Sequence, residues 1–374
     1  MKTTVTTPAV AQPESEAMPR IGGGKLPWHR ARATVLGLLV PLLALLVSFG
    51  IGAILLVLSG ANPVEAYRAL VQGAFGSQHN IFETLVKMTP ILLVALGVTF
   101  AFRCSTWNIG AEGQLHLGAV GATVAGLALK GLAPDLPGII SIPVLLLAGF
   151  LAGGLYASFA GILKVKWEVN EVITTIMMNF VAILFVQYLA FGPLRDPTAG
   201  GLPMSPYIIE SGQLPRLVAQ SRLHLGVVIA LIAAVVVYIV LWKTTLGFQI
   251  RAVGANPRAA RHAGIDVSRS VFIAMVISGG LAGLAGMIEI AGLHYRLLDS
   301  FSPGYGSIGI VVALLGNLHP LLIVPAALLF GGLLNGADTM ARTMQVSTSI
   351  ITVIQGLMVL FVLGSQFLVA RWEE

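Results

Sequence analysis

Apolar runs longer than a soluble core requires recur along this chain from Val35 to Leu363. Each helical residue advances about 1.5 Å, so crossing a hydrocarbon layer of about 30 Å takes roughly 20 mainly apolar residues. About ten segments read this way: Val35–Leu58, Leu85–Phe102, Leu115–Leu129, Ile139–Leu163, Val172–Phe191, Leu225–Leu241, Val271–Leu293, Ile308–Leu315, Leu321–Leu334 and Ile350–Leu363. The third and the last three are short or broken. Charged residues make up only 10% of the chain, against about 25% in soluble domains. Alternating strand patterns are absent and aromatic content is 7%, which argues against a transmembrane barrel. The expected fold class is an all-α polytopic membrane protein with about ten transmembrane helices, some of them broken.

A net charge of +6 raises the question of nucleic acid, and the distribution of charge answers it. With ten spans and an inside N-terminus, Lys2, Arg20, Lys25, Arg30, Arg32, Arg103, Lys164, Lys166, Lys243, Arg251, Arg258, Arg261, Arg269 and Arg371 fall on the inner side. They outnumber the outer cations, as the positive-inside rule requires. Basicity therefore reports topology. Both termini are expected in the cytoplasm, the expected surroundings are membrane lipid, and no nucleic-acid partner is expected. Residues 1–30 are polar and rich in Pro, Thr and Glu, and read as a disordered cytoplasmic tail. Residues 31–374 read as a single transmembrane domain. No short apolar run with a cleavage site opens the chain, so no cleaved signal peptide is expected. Cys104 is the only cysteine, which excludes an intrachain disulfide and a multi-cysteine metal site.

One compact basic loop, residues 243–269, lies between two apolar stretches. Asn256 is suited to cap a helix and Pro257 to start one, since its missing donor would be orphaned there anyway. Arg258 to Ala263 are helix-compatible, and Gly264 is a natural stop. A short helix carrying Arg258, Arg261 and His262 would suit a soluble partner. An ordinary topology signal would look the same.

Beyond the membrane, Gly192–His224 is rich in Pro and Gly and should be irregular, with a short helix near Tyr207–Glu210. Pro63–Phe82 spaces Val64, Tyr67, Leu70 and Phe75 as an amphipathic helix lying on the outer surface. Small residues recur at Gly279, Gly280, Gly283 and Gly286, and at Gly149, Ala152, Gly153 and Ala157. Close backbone packing holds helices together in lipid, so these stretches read as helix contacts.

Two polar clusters interrupt the apolar pattern. Trp107-Asn108-Ile109-Gly110-Ala111-Glu112-Gly113-Gln114 sits between spans with almost no loop around it. It reads as a helix break lining a translocation path, or as a plain turn. In Asn170-Glu171-Val-Ile-Thr174-Thr175-Ile-Met-Met-Asn179, positions 171, 174, 175 and 179 share a helical face. Polar groups inside a span are costly, so this face should meet a cavity or another helix. Glu289 and Asp338 lie toward the outside, where both could reach water. His116 and His294 read as isolated, bonded structural histidines.

Other patterns carry less. Gly304-Tyr-Gly306-Ser-Ile-Gly309 matches a dinucleotide fingerprint, but the strand and the acid about 20 residues on are missing. Gly22-Gly23-Gly24-Lys25 lacks the first glycine and the Ser or Thr of a phosphate loop. No nucleophile–base pair or metalloprotease motif is present, so an intramembrane enzyme is not expected, nor is a metal site.

Phe102-Arg103 through Gln114, Asn170 through Asn179, Gly254 through Gly264 and Gly304 through Gly316, in that order, resemble the permease subunits of bacterial ABC importers. The group concerned serves branched-chain amino acids, ribose-like sugars and nucleosides, and its nucleoside branch is most similar. The resemblance runs from Pro63 to Leu363. It implies the transmembrane subunit of an ATP-driven importer that moves nucleosides by alternating access across the bacterial cytoplasmic membrane. Ribose-like sugars, or an ion-coupled secondary transporter, are the alternatives. The implied partners are an ABC ATPase that binds ATP-Mg, a second homologous permease in a heterodimer, and a substrate-binding lipoprotein or periplasmic protein. No cofactor is expected in this chain, which is not itself an enzyme. Loop 243–269 becomes a coupling loop, with Arg251, Asn256, Pro257, Arg258, Ala260 and Gly264 as its working residues. Ala259-Ala260-x-x-x-Gly264 is similar to the general importer motif, although Arg258 replaces its Glu and the later Ile-x-Leu-Pro is missing. The implied path residues are Asn108, Glu112, Gln114, Asn170, Glu171, Thr174 and Asn179, whose amides and hydroxyls suit a neutral substrate.

Overall fold

The computed structural model describes residues 43–345 except 45, and scattered positions between 350 and 364. The expected tail at 1–30 and both termini lie outside the described residues. Among the described residues, seven helices are long and apolar enough to cross a membrane: α3 (Gln78–Arg103), α4 (Ala111–Leu132), α5 (Gly138–Trp167), α6 (Glu171–Phe191), α7 (Gly226–Lys243), α10 with its extension (Val267–His294) and α12 (Pro320–Met344). An eighth span is possible if α1 (Leu46–Leu58) and α2 (Pro63–Phe75), bent by 120°, count as one.

About ten spans are expected from the sequence, and the described residues do not confirm that number. Ile308–Leu315 belongs to α11 (Tyr305–Leu315), 11 residues long, and at 1.5 Å per residue it reaches only about half-way across the hydrocarbon. The first apolar run ends at Gly60, which adopts φ +82, and the chain folds back. Half of Ile350–Leu363 lies outside the described residues.

Local signals set the helix starts. Asn62 Oδ1 accepts from Val64 N ahead of Pro63, Asn170 Oδ1 from Val172 N and Ile173 N, and Asp266 Oδ1 from Arg269 N. α2 does not simply lie on a surface. Its Ala66, Leu70, Gly73 and Ala74 are buried, and Gly336 of α12 meets the Leu70 carbonyl. The Gly192–His224 segment is irregular as expected, with one 3-10 turn at Glu210–Gly212 and short bridges from Met204 to Leu298 and from Arg216 to His224.

α3 runs through the centre and is buried continuously from Thr89 to Ala101. α10 packs beside it, and α4, α5 and α10 pack on one another through glycines. A Cβ on Gly283 would strike the Gly149 carbonyl, one on Gly279 would strike Ala157, and one on Gly286 would strike the Leu115 carbonyl. Such contacts bring backbones together where lipid offers no hydrophobic drive. α5, α6 and α7 show apolar side chains outward, including Leu155, Phe159, Phe180, Leu184 and Ile232. Two polar faces result. One carries Arg103, Lys164, Lys243 and the loop after α7, and the other carries Lys87, Lys130 and Arg222.

Candidate functional site

The chain leaves the helical path at Cys104 and resumes it at Ala111, with Thr106, Asn108 and Gly110 buried and Ser105 and Trp107 exposed. Ser278, midway along α10, reaches this break: Asn108 Nδ2 donates to Ser278 Oγ at 2.8 Å and to Gln114 Oε1 at 2.9 Å. Gln114 Nε2 returns a bond to Asn108 Oδ1 at 2.9 Å, and Gly110 N donates to the same oxygen. Asn108 and Gln114 are 0% and 1% exposed, so this is a closed, satisfied net.

α6 stitches the break from the side. Trp107 N lies 3.5 Å from Glu171 Oε1, Ile109 N donates to Thr175 Oγ1, and Gly113 N donates to Asn179 Oδ1 at 2.8 Å. Asn179 Nδ2 donates back to the Ile109 carbonyl at 2.9 Å. The expected face is thus real at 171, 175 and 179. Thr174 bonds its own helix at the Asn170 carbonyl, and exposed Asn170 is the cap of α6, so neither joins the break. Glu171 Oε2 also meets Lys164 Nζ at 2.7 Å, tying α5 to α6.

Because the Asn108 amide is fully bonded, Asn108→Ala strands Gln114 and Gly110 N. A structural role predicts a loss of about 1–3 kcal/mol, read as a clear drop in the melting temperature of the purified protein. An unchanged melting temperature with slowed transport would instead make Asn108 a path residue.

Glu112 faces another way. Its Oε2 accepts from Gly306 N at 2.6 Å and so caps the half-span α11, where a carboxylate meets the positive end of the helix. Its Oε1 lies 3.8 Å from His116 Nδ1. That Nδ1 is 2.8 Å from the Glu112 carbonyl, which can only accept, so the proton sits on Nδ1. The expectation that His116 is isolated is corrected: it lies one turn beyond an acid, a spacing visible in the sequence.

Glu289 is corrected too. It is 1% exposed instead of water-facing, with Oε2 3.6 Å from His294 Nε2. The two residues are five apart, a spacing that an α-helix places on different faces. Residues Glu289–His294 form a π turn, whose i to i+5 geometry stacks them. No sequence period announced that. Asp338, by contrast, is exposed and pairs with Lys87. His224 is buried, and burial pushes its ring down to about 4, so it is neutral at physiological pH. Its Nδ1 accepts from Gly226 N, which leaves the proton on Nε2.

On the other face, loop 243–269 is two helices, α8 (Thr245–Ala255) and α9 (Pro257–His262). Asn256 Oδ1 accepts from Arg258 N and Ala259 N, Pro257 takes the first position, and Gly264 adopts φ +80, as the sequence requires. Arg258, Arg261 and His262 are exposed, while Ala260 turns inward at 4% exposure. The loop is anchored to the break. A Cβ on Gly254 would strike the Arg103 carbonyl, and Ser105 Oγ donates to the Gly254 carbonyl at 2.8 Å. Arg103 donates to the Leu318 and Asn317 carbonyls just beyond α11, and both Arg103 and Arg251 flank the Trp242 ring. Among the described residues no cluster of His, Cys, Asp and Glu is arranged to hold a metal.

Comparison with known proteins adds independent support. Residues 80–363 match the family described as branched-chain amino acid transport system / permease component. A guanosine ABC transporter permease of Bacillus subtilis is 38% identical over 330 residues, covering 88% of this chain and 93% of the relative. A nucleoside ABC transporter permease of Lactococcus lactis is 35% identical, covering 87% and 90%. A glucose ABC transporter permease of Haloferax volcanii is 34% identical, covering 87% of each. No solved structure is significantly similar. With three-quarters of its length inside the family match and its polar break, half-span and anchored loop in place, this chain belongs to the branched-chain amino acid transport system permease family.

Proposed function

We propose that this chain is the membrane subunit of an ATP-driven importer that carries nucleosides across the bacterial cytoplasmic membrane by alternating access. The observation that carries this reading is the pair of guanosine and nucleoside permeases at 38% and 35% identity over nearly nine-tenths of the chain. The face bearing α8 and α9 is cytoplasmic, and both termini lie on that side. An ABC ATPase docks there and supplies ATP-Mg chemistry, so this chain needs no cofactor of its own. A second permease completes the pathway as a heterodimer, and a substrate-binding lipoprotein or periplasmic protein delivers substrate to the opposite face.

The contacts between this loop and the bundle support a mechanical route. Motion of α9 passes through Gly254 and Ser105 to the break, and through Arg103 to the C-terminal end of α11. Glu112 holds the other end of α11. A moving loop would therefore tilt the half-span against the break. In this reading Asn108, Gln114, Thr175 and Asn179 brace the break, while Glu112 and Glu171 keep its carboxylates near the path. Asn170 and Thr174 fix the start of α6. Asn256, Pro257 and Gly264 shape the docking helix, Arg258 meets the ATPase, and Arg251 and Ala260 seat the loop on the bundle.

A sugar reading has one observation behind it, the glucose permease relative. Uptake of labelled guanosine into vesicles carrying the complete transporter separates the two. Strong guanosine uptake that excess glucose does not inhibit is expected. Glucose uptake without nucleoside uptake would replace the proposal with the sugar reading.

A further inference from the structure

Glu289, His294, His224 and Phe301 form a cluster that no role above uses. Glu289 Oε2 is buried without a hydrogen-bond partner, and so is His294 Nε2 beside it. His224 Nε2 is a third such atom, and its ring packs against Gly292 inside the same π turn. Buried polar atoms almost always have partners, so three around one turn of helix need a reason. Tyr295, which ends the turn, is held at φ +60, a strained conformation for a tyrosine. π turns themselves concentrate at functional sites.

The chemistry of the cluster is specific. Glu289 offers a carboxylate oxygen that accepts. His224 offers an Nε2–H that donates. Phe301 offers an aromatic ring, 4.8 Å from the His116 ring and 6.4 Å from the His294 ring. His116 in turn connects to Glu112 and thus to the N-terminal end of α11. A planar solute with a ring N–H beside a carbonyl fits all three features, whereas an apolar amino acid side chain can use only the Phe301 ring and leaves Glu289 and His224 unpartnered.

We propose that this cluster reads the base of the transported nucleoside. Glu289 accepts from a ring N–H, His224 donates to the neighbouring exocyclic carbonyl, and Phe301 packs against the ring face. This deepens the nucleoside reading and rests on it. The ligand class is a nucleoside whose base carries an N–H next to a carbonyl, as 6-oxopurines and uracil do.

Inosine and adenosine test it, because adenosine reverses the donor and acceptor on that edge. The complete reconstituted transporter, with one unchanged binding protein throughout, is assayed for uptake of both. The native chain is expected to favour inosine. Glu289→Gln, which can both donate and accept, should cut the inosine-to-adenosine ratio of uptake efficiency by about tenfold. Phe301→Leu should slow both nucleosides alike. A native ratio retained in every assembled variant would overturn the proposal. Should Glu289→Gln fail to assemble, His294→Gln and Phe301→Leu decide it: native uptake and ratio in both would overturn the assignment, and reduced uptake in both would support it. A native transporter that moves glucose and no nucleoside defeats the functional reading itself, and is distinguished because it shows before any substitution.

Discussion

Gly286→Leu is expected to yield no assembled membrane bundle. Gly286 sits where α10 crosses α4, and a Cβ there would fall on the Leu115 carbonyl and lie 2.8 Å from Ala119 N. The obstacle is backbone, so no side chain can rotate aside and the two helices must part. Parting them also disturbs Gly283 against Gly149 and Gly118, since the same stretch of α10 serves all three contacts. Overpacking a core by a methylene or two costs about 1–3 kcal/mol, and a whole isobutyl group between touching backbones exceeds that. Gly264→Ala makes the contrast. It has open space around it and is strained only by its φ of +80, so the cost is about 1–2 kcal/mol. Size-exclusion profiles and protease resistance in detergent check both. A monodisperse, resistant Gly286→Leu protein would mean that α4 and α10 do not pack as described.

The features legible in the sequence are those with local causes. Asn256-Pro257 and Gly264 bound α9 because caps and positive φ are written in single residues. The glycines at 279–286 and 149–153 meet because small residues on one helical face leave no other way to bury it. The face at 171, 175 and 179 followed from the helical period. What escaped depends on departures from period or on long-range placement. Glu289 and His294 come together only through a π turn. Phe301 reaches His116 only because α11 starts partway across the bundle, which its apolar run does not announce. Ala260, central to the motif-based reading of the loop, proved to face inward, since a motif records residue types and not which side of a short helix is covered. The exposed positions 258, 261 and 262 are therefore the ones to vary in any docking test.

The central claim, that this chain moves nucleosides only as part of an ATP-driven assembly, is an all-or-none prediction. The described residues form a polar helix break and an exposed basic loop, and the sequence carries no complete phosphate loop. The exposed cations Arg258 and Arg261 sit on a capped, anchored helix, so reversing both to Glu should leave the bundle folded while disrupting contact with the ATPase. The decisive measurement is labelled guanosine uptake into proteoliposomes holding this chain alone, or with its ATPase, second permease and binding protein, with and without ATP. The account predicts uptake only from the complete set with ATP, abolished by Arg258→Glu with Arg261→Glu in a chain that still assembles its bundle. Robust uptake by the isolated chain, driven by an ion gradient and indifferent to ATP, would contradict it and make this protein a secondary transporter.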